Sequence, residues 1–80
     1  MNRAALTPRQ QQLINDHRAQ RERLGYDGAL WARNTAARLQ AANARGQVLK
    51  SRRVGICAAT GTPFAKGESI VYHDGKSFIA

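Results

Sequence analysis

The side chains able to do covalent chemistry in this 80-residue chain are few. Cys57, Ser51, Ser69 and Ser77 are the candidate nucleophiles, and His17 and His73 are the candidate bases. The best pairing is Cys57 with His73, a thiol beside an imidazole. No third group can be identified to orient that ring, and a lone cysteine on an apolar strand is ordinarily a packing residue. The five acidic residues are scattered, so they offer neither a carboxylate pair for acid–base work nor a magnesium site. The seven glycines fall singly at turns and cannot form a phosphate cradle. One thiol and two distant histidines fall short of the four ligands of a structural zinc site. The expectation is a protein that is not an enzyme, with no metal, no cofactor and no small-molecule substrate.

Charge is the stronger signal. Residues 1–53 carry ten arginines and Lys50 against Asp16, Glu22 and Asp27, whereas residues 54–80 balance Lys66 and Lys76 against Glu68 and Asp74, so the whole net charge of +8 lies in the first part. Arginine outnumbers lysine ten to three, and the guanidinium fork suits phosphate and carboxylate better than a lysine point charge does. The expected partner is DNA, RNA or a nucleoprotein. Arg9, Arg18, Arg21, Arg23, Arg33, Arg38, Arg45, Arg52 and Arg53 are the candidate phosphate contacts, with Trp31 and Tyr26 as candidate stacking or anchoring residues. No base-reading motif is present, so specificity would be low or set by shape. The alternative is a small inhibitor, anti-CRISPR-like or directed at RNA polymerase, that blocks a host nucleic-acid-handling protein by occluding its surface. Size and charge place either reading among phage and mobile-element proteins, some of which act in transcription regulation.

Helices must position most of these cations. Thr7-Pro8 is a start signal, with threonine capping the first free amides and proline losing no hydrogen bond at the first helical position. Gly25 stops that helix. Leu6, Leu13, Ile14, His17 and Leu24 fall on one side of it and Gln11, Arg18 and Glu22 on the other, which makes His17 a packing residue. The short turn at residues 25–28 sends a second, alanine-rich helix back antiparallel, to end before Gly46. On it Leu30, Ala37, Ala41 and Ala44 form one stripe, while Trp31, Thr35, Arg38 and Ala42 share another side. Trp31 beside Arg38 either stacks on a partner or fills the core under the sheet.

Beyond a basic connector at 47–53 the period changes. Val54, Ile56 and Ala58 alternate with Gly55 and Cys57, and Ile70-Val71-Tyr72 leads into His73-Asp74-Gly75-Lys76. Asp-Gly between apolar runs is a strong hairpin signal, because a type I′ turn needs positive φ at both central positions. A two-residue loop there pairs Tyr72 with Ser77, Val71 with Phe78 and Ile70 with Ile79. Both faces of that ribbon are apolar, so one covers the helices and the other needs Pro63-Phe64 or a partner. Strands are expected near 53–58, 68–73 and 76–79.

The stretch Gly55-Ile56-Cys57-Ala58-Ala59-Thr60-Gly61-Thr62-Pro63-Phe64, followed by Lys66-Gly67-Glu68, resembles the first knuckle of treble-clef zinc fingers, most closely that of the DksA/TraR family of RNA polymerase-binding regulators. In that family a helical hairpin precedes the finger, and the resemblance implies the same order here. Cys57 stands at the first ligand's place and Thr60 at the second's, with no second cysteine pair following. The tip at 25–28 has no paired aspartates of the kind through which that family acts. Leu6-Thr7-Pro8-Arg9-Gln10-Gln11 is similar to the first helix of LexA-type winged-helix repressors, and Asn34-Thr35-Ala36-Ala37-Arg38-Leu39 with Gly46-Gln47-Val48-Leu49 is similar to a recognition helix running into a wing.

The expected architecture is α+β: an N-terminal antiparallel helical hairpin packed on a small C-terminal three-stranded antiparallel sheet. Residues 1–80 form one domain, divided into a basic hairpin (1–46), a basic connector (47–53) and a β-sheet half (54–80). A lone cysteine excludes an internal disulfide, and the first eight residues lack the apolar run of a secretory signal. No stretch is long and apolar enough to span a bilayer. The expected location is cytoplasmic, the host cytoplasm if the protein is viral, with self-association through the sheet edge as a further option.

Overall fold

The computed structural model describes residues 5–80, so Met1 to Ala4, part of the segment read for a secretory signal, lie outside the described residues. Two helices pack on each other, and a three-stranded antiparallel sheet follows them, as expected of an α+β chain. Helix α1 spans Pro8–Arg23 and α2 spans Gly28–Arg45. Thr7 caps α1 through a reciprocal box in which the Gln10 amide N–H donates to Thr7 Oγ1 at 3.2 Å and Thr7 N–H donates to Gln10 Oε1 at 3.0 Å. Asp27 caps α2 by accepting from Leu30 N–H. Between the helices, Tyr26 N–H donates back to Arg21 carbonyl and closes the tight turn at Gly25.

The strands are β1 (Gln47–Lys50), β2 (Gly55–Ile56), β3 (Pro63–Phe64), β4 (Ser69–His73) and β5 (Lys76–Ile79). The main sheet has the order β1-β4-β5, and β2 with β3 forms a separate small ribbon. The Asp-Gly hairpin has the expected register, with Ile70 opposite Ile79, Val71 opposite Phe78 and Tyr72 opposite Ser77. Asp74 and Gly75 take φ values of 53° and 74°, as the mirror-image turn demands.

The first strand is a correction. It was expected at 53–58, but Gln47–Lys50, within the stretch read as a connector, pairs with β4, Val48 opposite Val71 and Leu49 opposite Ile70. The chain leaves α2 at Gly46 already beside β4, so the apolar pair Val48-Leu49 enters the sheet at once. Residues 54–56, which alternate just as well, are used in the small ribbon instead.

The core joins the layers. Ile14 from α1 and Ala32, Leu39 and Ala42 from α2 are buried with Ile70, Val71, Phe78 and Ile79 from the sheet and Cys57, Ala59 and Phe64 from the ribbon region. Residues opposite one another in a ladder share a face. Leu49, Ile70 and Ile79 therefore face one way and Val48, Val71 and Phe78 the other. Trp31 packs against the edge of this core, partly buried.

Two helical expectations shift. Leu24 is 67% exposed at the C-cap of α1, outside the packed stripe. On α2, Leu30, Ala37, Ala41 and Ala44 face solvent, and the packed side is the one with Thr35 and Ala42. Small residues there let the helices approach; the burial of Thr35 is 97% complete by its 3% exposure.

Candidate nucleic-acid interface

Ion pairing accounts for little of the positive charge. Among the described residues there are two salt bridges, Arg9 Nη2 to Glu68 Oε1 at 2.7 Å and Arg18 Nε to Glu22 Oε1 at 3.0 Å. Glu68 also accepts from the Ala65 amide, and that hydrogen bond, with Arg9 second, holds its carboxyl below the usual glutamate range. Arg23, Arg33, Arg45, Arg52 and Arg53 are exposed and face no carboxylate within ion-pair distance among the described residues. Arg21, Arg23 and Arg45 sit in the last turns of their helices, where a cation also offsets the negative end of the helix dipole.

Three candidate residues meet at the junction of the helices with the ribbon. The Arg21 guanidinium lies 4.5 Å from the centroid of the Trp31 ring, in cation–π geometry. Arg21 Nε is buried with no hydrogen-bond partner, so stacking on the indole is its principal interaction. His17 lies on the same indole, ring centroids 5.8 Å apart, and shares a 3.1 Å hydrogen bond between its Nε2 and Thr62 Oγ1. Arg38 Nη2 donates to the Ala58 carbonyl at 3.1 Å. Trp31 is thus covered on one side by a guanidinium from its own chain. Tyr26, 65% exposed at the hairpin tip, lines a small cavity with His17, Arg21 and Leu24.

The segment resembling a zinc knuckle forms a closed turn without thiolate pairs. Cys57 N–H donates to Thr62 carbonyl and Gly61 N–H to Cys57 carbonyl, each at 2.8 Å. At the place of the second ligand, Thr60 Oγ1 donates to Thr62 Oγ1 at 2.9 Å and accepts from Thr62 N–H at 3.3 Å. The Cys57 sulfur is buried and accepts from Ile79 N–H at 3.4 Å. No cluster of three or more His, Cys, Asp or Glu that could hold a metal occurs among the described residues. Cys57 and His73 are also kept apart in role: the thiol is committed to β5, while His73 pairs with Lys76 at the hairpin end.

A surface that the arginine count alone did not reveal lies between the sheet and the knuckle. Leu49, Ile70 and Tyr72 on one sheet face, with Val54 and Ile56 opposite, line an open groove of about 570 Å³. Arg52, Arg53 and Lys76 line it too. Of the predicted site residues, only Arg52 and Arg53 are gathered here. The signal for the rest was the ribbon with two apolar faces: Phe64 covers part of the second face and leaves Tyr72 48% exposed.

The chain matches no protein-family model, no curated protein and no solved structure. The likeness of residues 55–68 to a treble-clef knuckle therefore rests on those residues alone. In the stretch similar to a recognition helix, Thr35 and Leu39 are buried while Asn34 and Arg38 are exposed. No helix of the described residues is long and apolar enough to cross a membrane.

Proposed function

We propose that this chain is a small, basic, non-catalytic binding protein that engages nucleic acid in the cytoplasm through its exposed arginines. The observation that carries the reading is a net charge of +8, with two ion pairs among the described residues set against thirteen lysines and arginines in the chain. Five guanidiniums without carboxylate partners are costly to keep together unless they serve a polyanion, since like charges on a compact chain repel. Phosphate contacts would position the ligand without reading its bases.

The test is binding of a labelled nucleic acid across a salt series. On duplex DNA, log affinity should fall with log salt by about 0.9 per neutralised phosphate. Replacing Arg23, Arg33 and Arg45 together with alanine should flatten that slope by up to about three, with little change in sequence preference. Absence of binding to DNA and RNA at low salt would refute the reading.

A second reading, occlusion of a host protein, has one observation of its own. Leu24, Tyr26 and Leu30 are 67%, 65% and 45% exposed around the hairpin tip, Leu24 beside Tyr26 and Leu30 beside Arg33. On that reading Tyr26→Ala abolishes capture of the partner, as removal of an aromatic anchor does, and salt has a weak effect.

A further inference from the structure

We propose that the groove between the sheet and the knuckle binds single-stranded nucleic acid, with an unpaired base against Tyr72 and phosphates held by Arg52, Arg53 and Lys76. The inference deepens the nucleic-acid reading above and rests on it. Three features of the groove lead there.

Its walls are apolar and wet. Val54 and Ile56 are 73% and 66% exposed, and the Tyr72 ring beside them is half exposed. A contiguous apolar concavity of this kind marks a binding surface more often than a bare one.

Its charge has one sign. The only ionisable side chains lining it that carry charge at neutral pH, among the described residues, are Arg52, Arg53 and Lys76. The two arginines project from a fixed backbone. Ser51 is buried, its N–H donates to Glu68 carbonyl at 2.9 Å, and its carbonyl accepts from Gly67 N–H at 2.8 Å. Ser51 Oγ in turn donates to the Arg53 carbonyl and accepts from Arg53 N–H. The backbone that carries the two arginines is therefore fixed beside the groove rather than part of a free loop.

The occupant must be an anion with flat apolar faces. A duplex keeps its base faces stacked on one another, whereas a single strand can turn one onto an aromatic ring while its backbone tracks cations. Two of the three cations are arginines, which can grip phosphate with paired N–H donors. An acidic peptide with apolar side chains would satisfy the charge but would make less use of an exposed aromatic ring that lines the same groove as two guanidiniums.

The experiment is fluorescence anisotropy with the full chain, a labelled oligothymidine and a labelled duplex of equal length, in a salt series. The single strand should bind more tightly. Tyr72→Ala should weaken single-strand binding about tenfold, as loss of one stacked base does, leave duplex binding unchanged, and be rescued by Tyr72→Phe. Arg52→Ala with Arg53→Ala should lower the single-strand salt slope by about 1.4, at about 0.7 per phosphate. Amide shifts in the wild-type protein give a readout free of folding effects: Gly55, Ile56 and Ser77 should move on adding oligothymidine. Equal binding of both forms, with Tyr72→Ala neutral and those amides still, overturns the groove proposal and leaves the wider reading standing. Failure to bind either form overturns both. Shifts of the same amides by a peptide of alternating glutamate and leucine, with none from oligothymidine, would make the groove a protein-docking site and overturn the proposal as well.

Discussion

Gln10 ties α1 to α2 and to β5, and nothing in the run Gln10-Gln11-Gln12 distinguishes it from its neighbours. It is fully buried. Its Nε2 donates to Asn43 Oδ1 at 3.0 Å and to Ile79 carbonyl at 2.8 Å, and its Oε1 accepts from Asn43 Nδ2 at 2.8 Å. One side chain thus caps α1, grips α2 and holds β5. Periodicity finds apolar residues facing a core and overlooks a polar one that satisfies itself there. Gln10→Ala strands Asn43 Oδ1 and the Ile79 carbonyl, while Asn43 Nδ2 keeps its bond to the Ala5 carbonyl; at about 1–3 kcal/mol for each stranded group, urea denaturation should show a loss of about 3 kcal/mol, a large share of what a domain this small possesses. Glu68 gives a pH test. Its folded carboxyl titrates below the usual range, so the contribution is present above the unfolded value and disappears as pH falls through the folded one. Wild type should melt above Glu68→Gln at neutral pH, and the gap should close only as pH falls below the usual glutamate range.

At the level of elements, what could be read in advance is what short-range chemistry decides. The Thr-Pro start, the glycine stops and the Asp-Gly turn each specify geometry within a few residues, and both helices and the β4–β5 register follow from them. β1 was displaced because two stretches, 47–50 and 54–58, offer comparable strand patterns, and only the position of Gly46 next to Val71 and Tyr72 decides between them. Residues 57–62 show the same limit: Gly61 and Pro63 mark a turn, but the hydroxyls of Thr60 and Thr62 that close it were visible only in three dimensions. Thr60→Val should therefore cost about 1 kcal/mol. Gly55→Ala should cost more, about 1–3 kcal/mol, because a Cβ there would collide with the Phe64 ring at Cζ. A chelator should leave the thermal melt of either variant and of the wild type where it was, since hydroxyls and backbone close the turn.

For the molecule as a whole, charge and fold act against each other, and salt separates them. Ten arginines and three lysines against five acids put a self-repelling charge on one small domain, and repulsion between exposed charges is screened as ionic strength rises. The opposing loss is small: Arg9–Glu68 and Arg18–Glu22 are both partly or largely exposed, and such pairs contribute little. The melting temperature of the free protein should accordingly rise with added sodium chloride. Affinity for nucleic acid should fall over the same range, because releasing the counterions condensed on the nucleic acid gains less free energy when the bulk already holds many. A short oligothymidine at low salt should raise the melting temperature by occupying the cations that otherwise repel, and that stabilisation should vanish as salt increases. Differential scanning fluorimetry on the Trp31 signal, with and without oligothymidine, measures all three trends in one titration. A melting temperature that falls with salt would mean that the two ion pairs outweigh the repulsion, and the excess of arginine would then lose its standing as the feature that calls for a polyanionic partner.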